Sequence, residues 1–288
     1  MSKRDNELRS GAMASPDTLI PPILEQNPNE KNFSFVAPTR FVELPSRGRF
    51  YPEEHRLHNI SNIEIRFMTA KDEDILTSKT LLKKGLAIDR FLKNILVDKS
   101  IDIDELLLGD KNALIIAART TGYGSLYQTK VTCPACSSRS EYEFDLDFCS
   151  IDHGEDFTGY DITEVKEGYF NIKLPVTELI VTVKLLSGAD EKKVLNLFKI
   201  KKIKKRNNIS ESSVTDLFRI LIKSINGSAD RYHIDQFIES MPAMDSKYLR
   251  KAYEKITPGI DMSQDFVCEF CGTDTELEVP LNAEFFWP

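Results

Sequence analysis

Four of the five cysteines fall into two Cys-x-x-Cys pairs, Cys133 with Cys136 and Cys268 with Cys271. Such a turn sets two sulfurs on one side of a tight loop, where each can reach a tetrahedral Zn2+ at about 2.3 Å. Two turns complete a four-thiolate shell with no open position for water, which is structural chemistry rather than hydrolysis. The rival reading is a pair of redox dithiols or ordinary buried thiols. A thioredoxin-like dithiol opens a helix, whereas Ser137-Ser138-Arg139 and Gly272-Thr273-Asp274 read as turns leading into strands. Cys149 has no partner, and His153 close behind it gives no metal spacing.

The flanks of the pairs repeat too. Residues 141–146 stand at the same offset from Cys133 as residues 276–281 do from Cys268, and both runs alternate in polarity. Each unit therefore reads as strand, knuckle, polar turn and alternating strand. The expected result is a split zinc ribbon holding one structural zinc per chain on Cys133, Cys136, Cys268 and Cys271. Such a site is worth roughly 10–16 kcal/mol of apparent binding free energy, enough to join two distant segments.

The elements that must position these thiols divide the chain into five zones. Residues 1–34, rich in Ser, Asn, Glu and Pro, read as a flexible tail. Residues 35–59 read as an extended arm, since Pro45 and Pro52 forbid a regular helix and Gly48 permits a bend. Residues 60–150 read as an α+β domain carrying the first knuckle. Ile63, Ile65 and Phe67 alternate as a strand; Thr69 and Asp72 make a capping box for a helix ending near Gly85. Ile88, Phe91, Leu92, Ile95 and Leu96 repeat at helical spacing, and Asp110 can cap a helix ending before Gly122.

Residues 151–260 read as a mostly helical insertion. It includes strands at Phe170–Leu174 and Leu179–Leu185 and a helical stripe from Val214 through Ile222 to Ile225. Residues 261–288 carry the second knuckle and an aromatic terminus. The fold class expected is α+β: helices, small antiparallel strands and the split four-cysteine unit.

Composition narrows the function. With 288 residues, 41% apolar and 29% charged, the chain can build a sizeable core. Its 38 Lys and Arg against 45 Asp and Glu give a net charge of −7, which argues against non-specific coating of nucleic acid. No apolar run approaches a membrane span, and the first ten residues lack a secretory apolar core. The four histidines sit in no nucleophile or zincin pattern, no phosphate loop is present, and Asp98, Asp102, Asp104 and Asp110 lack EF-hand order. The expected protein is not an enzyme.

Two binding readings remain. Eight Lys or Arg residues between Lys192 and Arg206 suggest a nucleic-acid-binding zinc-ribbon regulator, although only Phe198 provides stacking, and a solvated helix face explains the run as well. The arm residues Leu44, Arg47, Phe50 and Tyr51, with Phe286 and Trp287 at the end of the chain, can anchor a partner subunit or pack on their own domain.

The residues from Leu44 to Tyr51, Ile65 to Asp74, Lys84 to Asp89, Leu107 to Asp110 and Tyr123-Gly124 occur in order before Val131 to Cys136. This series resembles the hub-assembly baseplate proteins of T-even-type myovirus bacteriophages. The resemblance covers about Phe41 to Leu146 and, more weakly, the aromatic terminus. It implies a non-enzymatic part in building the baseplate hub, with other baseplate and tail subunits as partners. It also implies a location in the cytoplasm of the infected bacterial host, with retention in the tail of the virion and a role in assembly alone both left open.

Overall fold

The computed structural model describes residues 24–25, 34–35, 37–204, 213–281 and 285–286, with side chains over 37–196, 214–281 and 285–286. Two compact units result, Met1–Pro38 and Thr39–Pro288. In the first, β1 (Leu24–Glu25) pairs antiparallel with β2 (Ser34–Phe35), and the rest of the expected 1–34 tail lies outside the described residues.

The second unit opens with β3 (Thr39–Glu43) antiparallel to β4 (Asn62–Arg66). The expected arm is thus extended only along β3. From Pro45 to Asn59 the backbone folds through successive turns, with Arg47 at φ 50° and Gly48 at φ 71°. A Cβ on Gly48 would stand 2.3 Å from both Ile60 N and Leu57 O, so the fold-back requires glycine there. Thr69 then caps α1 (Ala70–Thr77): its N–H and hydroxyl both donate to Asp72 Oδ2, at 2.9 and 2.7 Å. The helix expected to continue to Gly85 breaks at Ser78 and resumes as α2 (Lys79–Lys84). Next, α3 (Ala87–Ile95) buries Phe91, Leu92 and Ile95 on one face. The following helix, α4 (Leu108–Tyr123), passes through Gly122 and stops at Gly124; Asp110 lies in its first turn, where it is fully buried.

After α4 the first ribbon hairpin forms from β5 (Leu126–Thr132) and β6 (Arg139–Asp145). A short β7 (Ser150–Asp152) leads into β8 (Ile162–Lys166), β9 (Tyr169–Lys173) and β10 (Ile180–Lys184), which pair antiparallel in sequence. Helices α5 (Gly188–Lys204) and α6 (Ser213–Leu221) precede β11 (Ile222–Ile225), which closes the four-stranded sheet beside β10. Here the expected helix is cut short. Ile222 and Ile225 pair with Val183 and Val181, and this ladder outweighs the helical periodicity of the stripe. The segment expected to be mostly helical accordingly contains a whole sheet.

The chain returns through α7 (Arg231–Ser240), α8 (Ala243–Ile256) and β12 (Gly259–Asp261), which pairs with β7, to the second hairpin, β13 (Ser263–Val267) and β14 (Asp274–Glu278). One hydrophobic core runs from Val42 to Phe286 and draws on every zone of this unit. The class is α+β. No helix of the described residues is long and apolar enough to cross a membrane.

Candidate metal centre

The two hairpins present their knuckles by the same local rule. In the first, Cys133 N–H donates to Ser138 O at 2.9 Å and Ser137 N–H to Cys133 O at 2.9 Å. In the second, Cys268 N–H donates to Thr273 O at 2.9 Å and Gly272 N–H to Cys268 O at 2.8 Å. Ser137 and Gly272 occupy equivalent positions, both left-handed, at φ 57° and φ 68°. The first Cys of each pair is buried and the second is exposed. This alternation turns each pair towards a common point at the molecular surface.

The four sulfurs meet there, all within 4.8 Å of one another. Cys133 Sγ lies 3.8 Å from Cys271 Sγ, and Cys136 Sγ lies 3.7 Å from Cys268 Sγ. A tetrahedron with metal–sulfur bonds of about 2.3 Å has edges of about 3.8 Å, so the spacing fits a single ion. All five thiols of the chain are free. The cluster can hold a metal ion.

Hydroxyls surround the cluster at repeated positions. Ser138 Oγ lies 2.9 Å from Cys136 Sγ and 3.5 Å from Cys268 Sγ, and Thr273 Oγ1 lies 3.1 Å from Cys271 Sγ. The Ser138 hydroxyl, followed by the Cys271 backbone N–H, draws the Cys268 thiol down to about 6. The same hydroxyl lowers Cys136. Cys133 goes the other way, up to about 11: the Cys136 N–H acts to lower it, but burial and the neighbouring thiols outweigh that contact. Deprotonation must accompany metal binding, and the shell already favours it at two sulfurs.

Outside the shell, side chains clasp one hairpin to the other. Tyr142 OH donates to Asp265 O at 2.6 Å, while Gln264 accepts from Asp145 N at 3.1 Å and donates to Asp145 O at 2.7 Å. Tyr142 also meets the Phe266 ring edge-on at 5.3 Å. The repeat of Ser138 and Thr273, two residues after the second Cys in each unit, was open to view in the sequence. The Gln264 clasp has no sequence signature.

The expected partner anchors are mostly interior. Leu44, Phe50, Tyr51 and Phe286 are buried in the chain's own core. Tyr51 OH donates to Asp110 Oδ2 at 2.7 Å and accepts from Leu107 N at 2.9 Å; Phe50 meets Phe170 edge-on, and Phe286 meets Phe91. Of the two fates open to the arm, packing on its own domain is the one adopted by these apolar side chains, because the turns after Leu44 fold them under α4 and the sheet. Arg47 keeps a side chain 52% exposed and donates to His153 Nε2 at 2.6 Å. Trp287 lies outside the described residues.

In the basic run, Lys192 pairs with Asp89 and Asp104, and Lys193 pairs with Asp190 at 3.0 Å. The side chains of the other six cations lie outside the described residues.

A protein-family model described as T4 bacteriophage base plate protein matches residues 38–287. No curated protein matches the chain, and no solved structure matches it.

Proposed function

The chain belongs to the T4 bacteriophage base plate protein family, and from that premise we propose that it is a non-enzymatic hub component or hub-assembly factor. On this reading it works by contact with other baseplate subunits, is made in the cytoplasm of the infected host, and is held in shape by one structural zinc. The four-thiol cluster carries the metal part of the reading. Its spacing suits a closed shell, and a closed shell leaves no position at which a metal could activate water.

Metal analysis of the purified full chain tests this directly. About one zinc per chain is expected, and a folded, metal-free protein would overturn the site. Partner class is tested by sedimentation with the tail proteins of the same phage. Co-sedimentation without salt-dependent binding to DNA or RNA supports the baseplate role. A steep salt dependence abolished by charge reversal across 192–206 would instead favour the nucleic-acid regulator.

A further inference from the structure

The edge of β4 opposite β3 is only partly covered. Val97 N–H donates to Glu64 O at 3.1 Å and Ile65 bridges to Leu96; beyond that single bridge, no other strand of the described residues lies along this edge. Because strand residues alternate in direction, Asn62 turns its backbone N–H and C=O to the same side as Glu64. A cavity of about 470 Å3 adjoins this edge at Asn62, Ile63 and Glu64, and a second of about 370 Å3 continues from it through the shared residues Arg56, Leu57 and Ile101. The ion pair from Arg56 Nε to Asp98 Oδ2, at 3.1 Å, lies in this shared stretch.

Three large apolar side chains are left in solvent around it. Ile60 and Val97 line the larger cavity, 43% and 45% exposed, and Phe41, 68% exposed, stands directly opposite Glu64 across the hairpin. The walls are acidic. Glu54, Glu64 and Asp102 form no ion pair among the described residues, while nearby Arg56 is paired with Asp98, and His55 Nε2 lies 3.1 Å from Glu105 Oε2.

We propose that this groove receives an extended segment of another baseplate subunit, added as a strand to the β4 edge. That segment alternates apolar residues, which cover Ile60, Val97 and Phe41, with at least one Lys or Arg set against Glu54, Glu64 or Asp102. Acidic walls repel nucleic acid, and a second copy of a chain carrying −7 brings the wrong overall charge. The inference rests on the reading of the chain as a subunit that works by protein contact.

The test places a photo-crosslinker in the full chain, Val97→p-benzoylphenylalanine, co-expressed with the tail proteins of the same phage. Particles are sedimented after irradiation and the cross-linked peptide is sequenced by mass spectrometry. The expected result is one segment of a different subunit with the stated pattern, together with at least tenfold slower amide exchange at Asn62 and Glu64 in the particle. Val97→Asp and the double change Glu64→Lys with Asp102→Lys, each checked for native circular dichroism, should lower incorporation at least tenfold. A chain that enters particles without cross-linking at Val97, or that cross-links there to its own copy or to nucleic acid, overturns the groove assignment and leaves the baseplate role standing. A chain that never enters particles overturns both.

Discussion

Asp72 and Asp110 are both shut off from solvent, yet they respond to pH in opposite senses. Burial pushes the Asp72 carboxyl up, but a bidentate Arg66 at 2.6 and 2.8 Å, with Thr69 and Asn94, outweighs it and holds the group well below the usual carboxylate range. Its contribution is therefore present above the unfolded value of about 3.9 and is lost as pH falls through the depressed folded value. Asp110 accepts from Ser46 N, Ser46 Oγ and Tyr51 OH, but burial dominates and raises it. Its contribution is full in acid and declines as pH rises through the folded value. Replacing Asp72→Asn should cost about 3 kcal/mol at neutral pH, because a charged partner is left unpaired, and less below pH ~3. The cost of Asp110→Asn should instead shrink as pH rises. Urea titrations over a pH series check both. The Asp72 role was legible from its three-residue spacing to Thr69. Asp110 looked like an ordinary cap, since the groups that bind it come from an arm far away in the chain, and no local pattern announces them.

Among the elements, the aromatic segment at Phe285 is fastened by a side chain with no carboxylate partner among the described residues. Arg119 of α4 is buried, donates from Nε to Phe285 O at 2.9 Å, and reaches Gly124 O and Leu126 O with its two NH groups at 2.9 and 3.2 Å. Its guanidinium lies over the rings of Tyr123 and Tyr127 at 5.1 and 5.8 Å. Arg119→Ala strands these carbonyls and should cost about 3 kcal/mol. Limited proteolysis should then cut beyond Leu281 at least tenfold faster, with the two ribbon hairpins still protected. Periodicity exposed most helices because their apolar faces follow their own spacing. It failed from Ile222 to Ile225, where spacing fits a helix but an open sheet edge supplies better partners. Packing on its own domain was one of two readings open to the aromatic terminus, but its receptor was not legible, because no local pattern marks Arg119 as buried.

For the molecule as a whole, the hairpins unite segments 132 residues apart, from Cys136 to Cys268. On the proposed zinc reading, chelating the metal or making Cys268→Ser should therefore loosen the hairpins and the β7–β12 pairing while leaving α3 intact. Hydrogen exchange should show protection lost over 126–145 and 259–278 and kept over Ala87–Ile95; equal loss everywhere would contradict a local clamp. The thiol repeat and the α+β class were plain from the amino acids alone, because metal spacing and strand alternation are local signals. The resemblance seen over Phe41 to Leu146 stopped short of a family match that runs from 38 to 287 and takes in the segment read as an insertion. That segment shares the core through Phe170, Val181 and Leu249, contacts that no stretch of sequence displays by itself.

The order of synthesis gives the separated knuckles a further consequence. At roughly 5–20 residues per second, a ribosome delivers the second pair on the order of ten seconds after the first. During that interval Cys133 and Cys136 can offer an ion only half a shell, and closure waits for the second hairpin to emerge. On the proposed zinc reading, scarce metal during translation should thus leave nascent molecules open at this seam, even where the earlier helices have already folded.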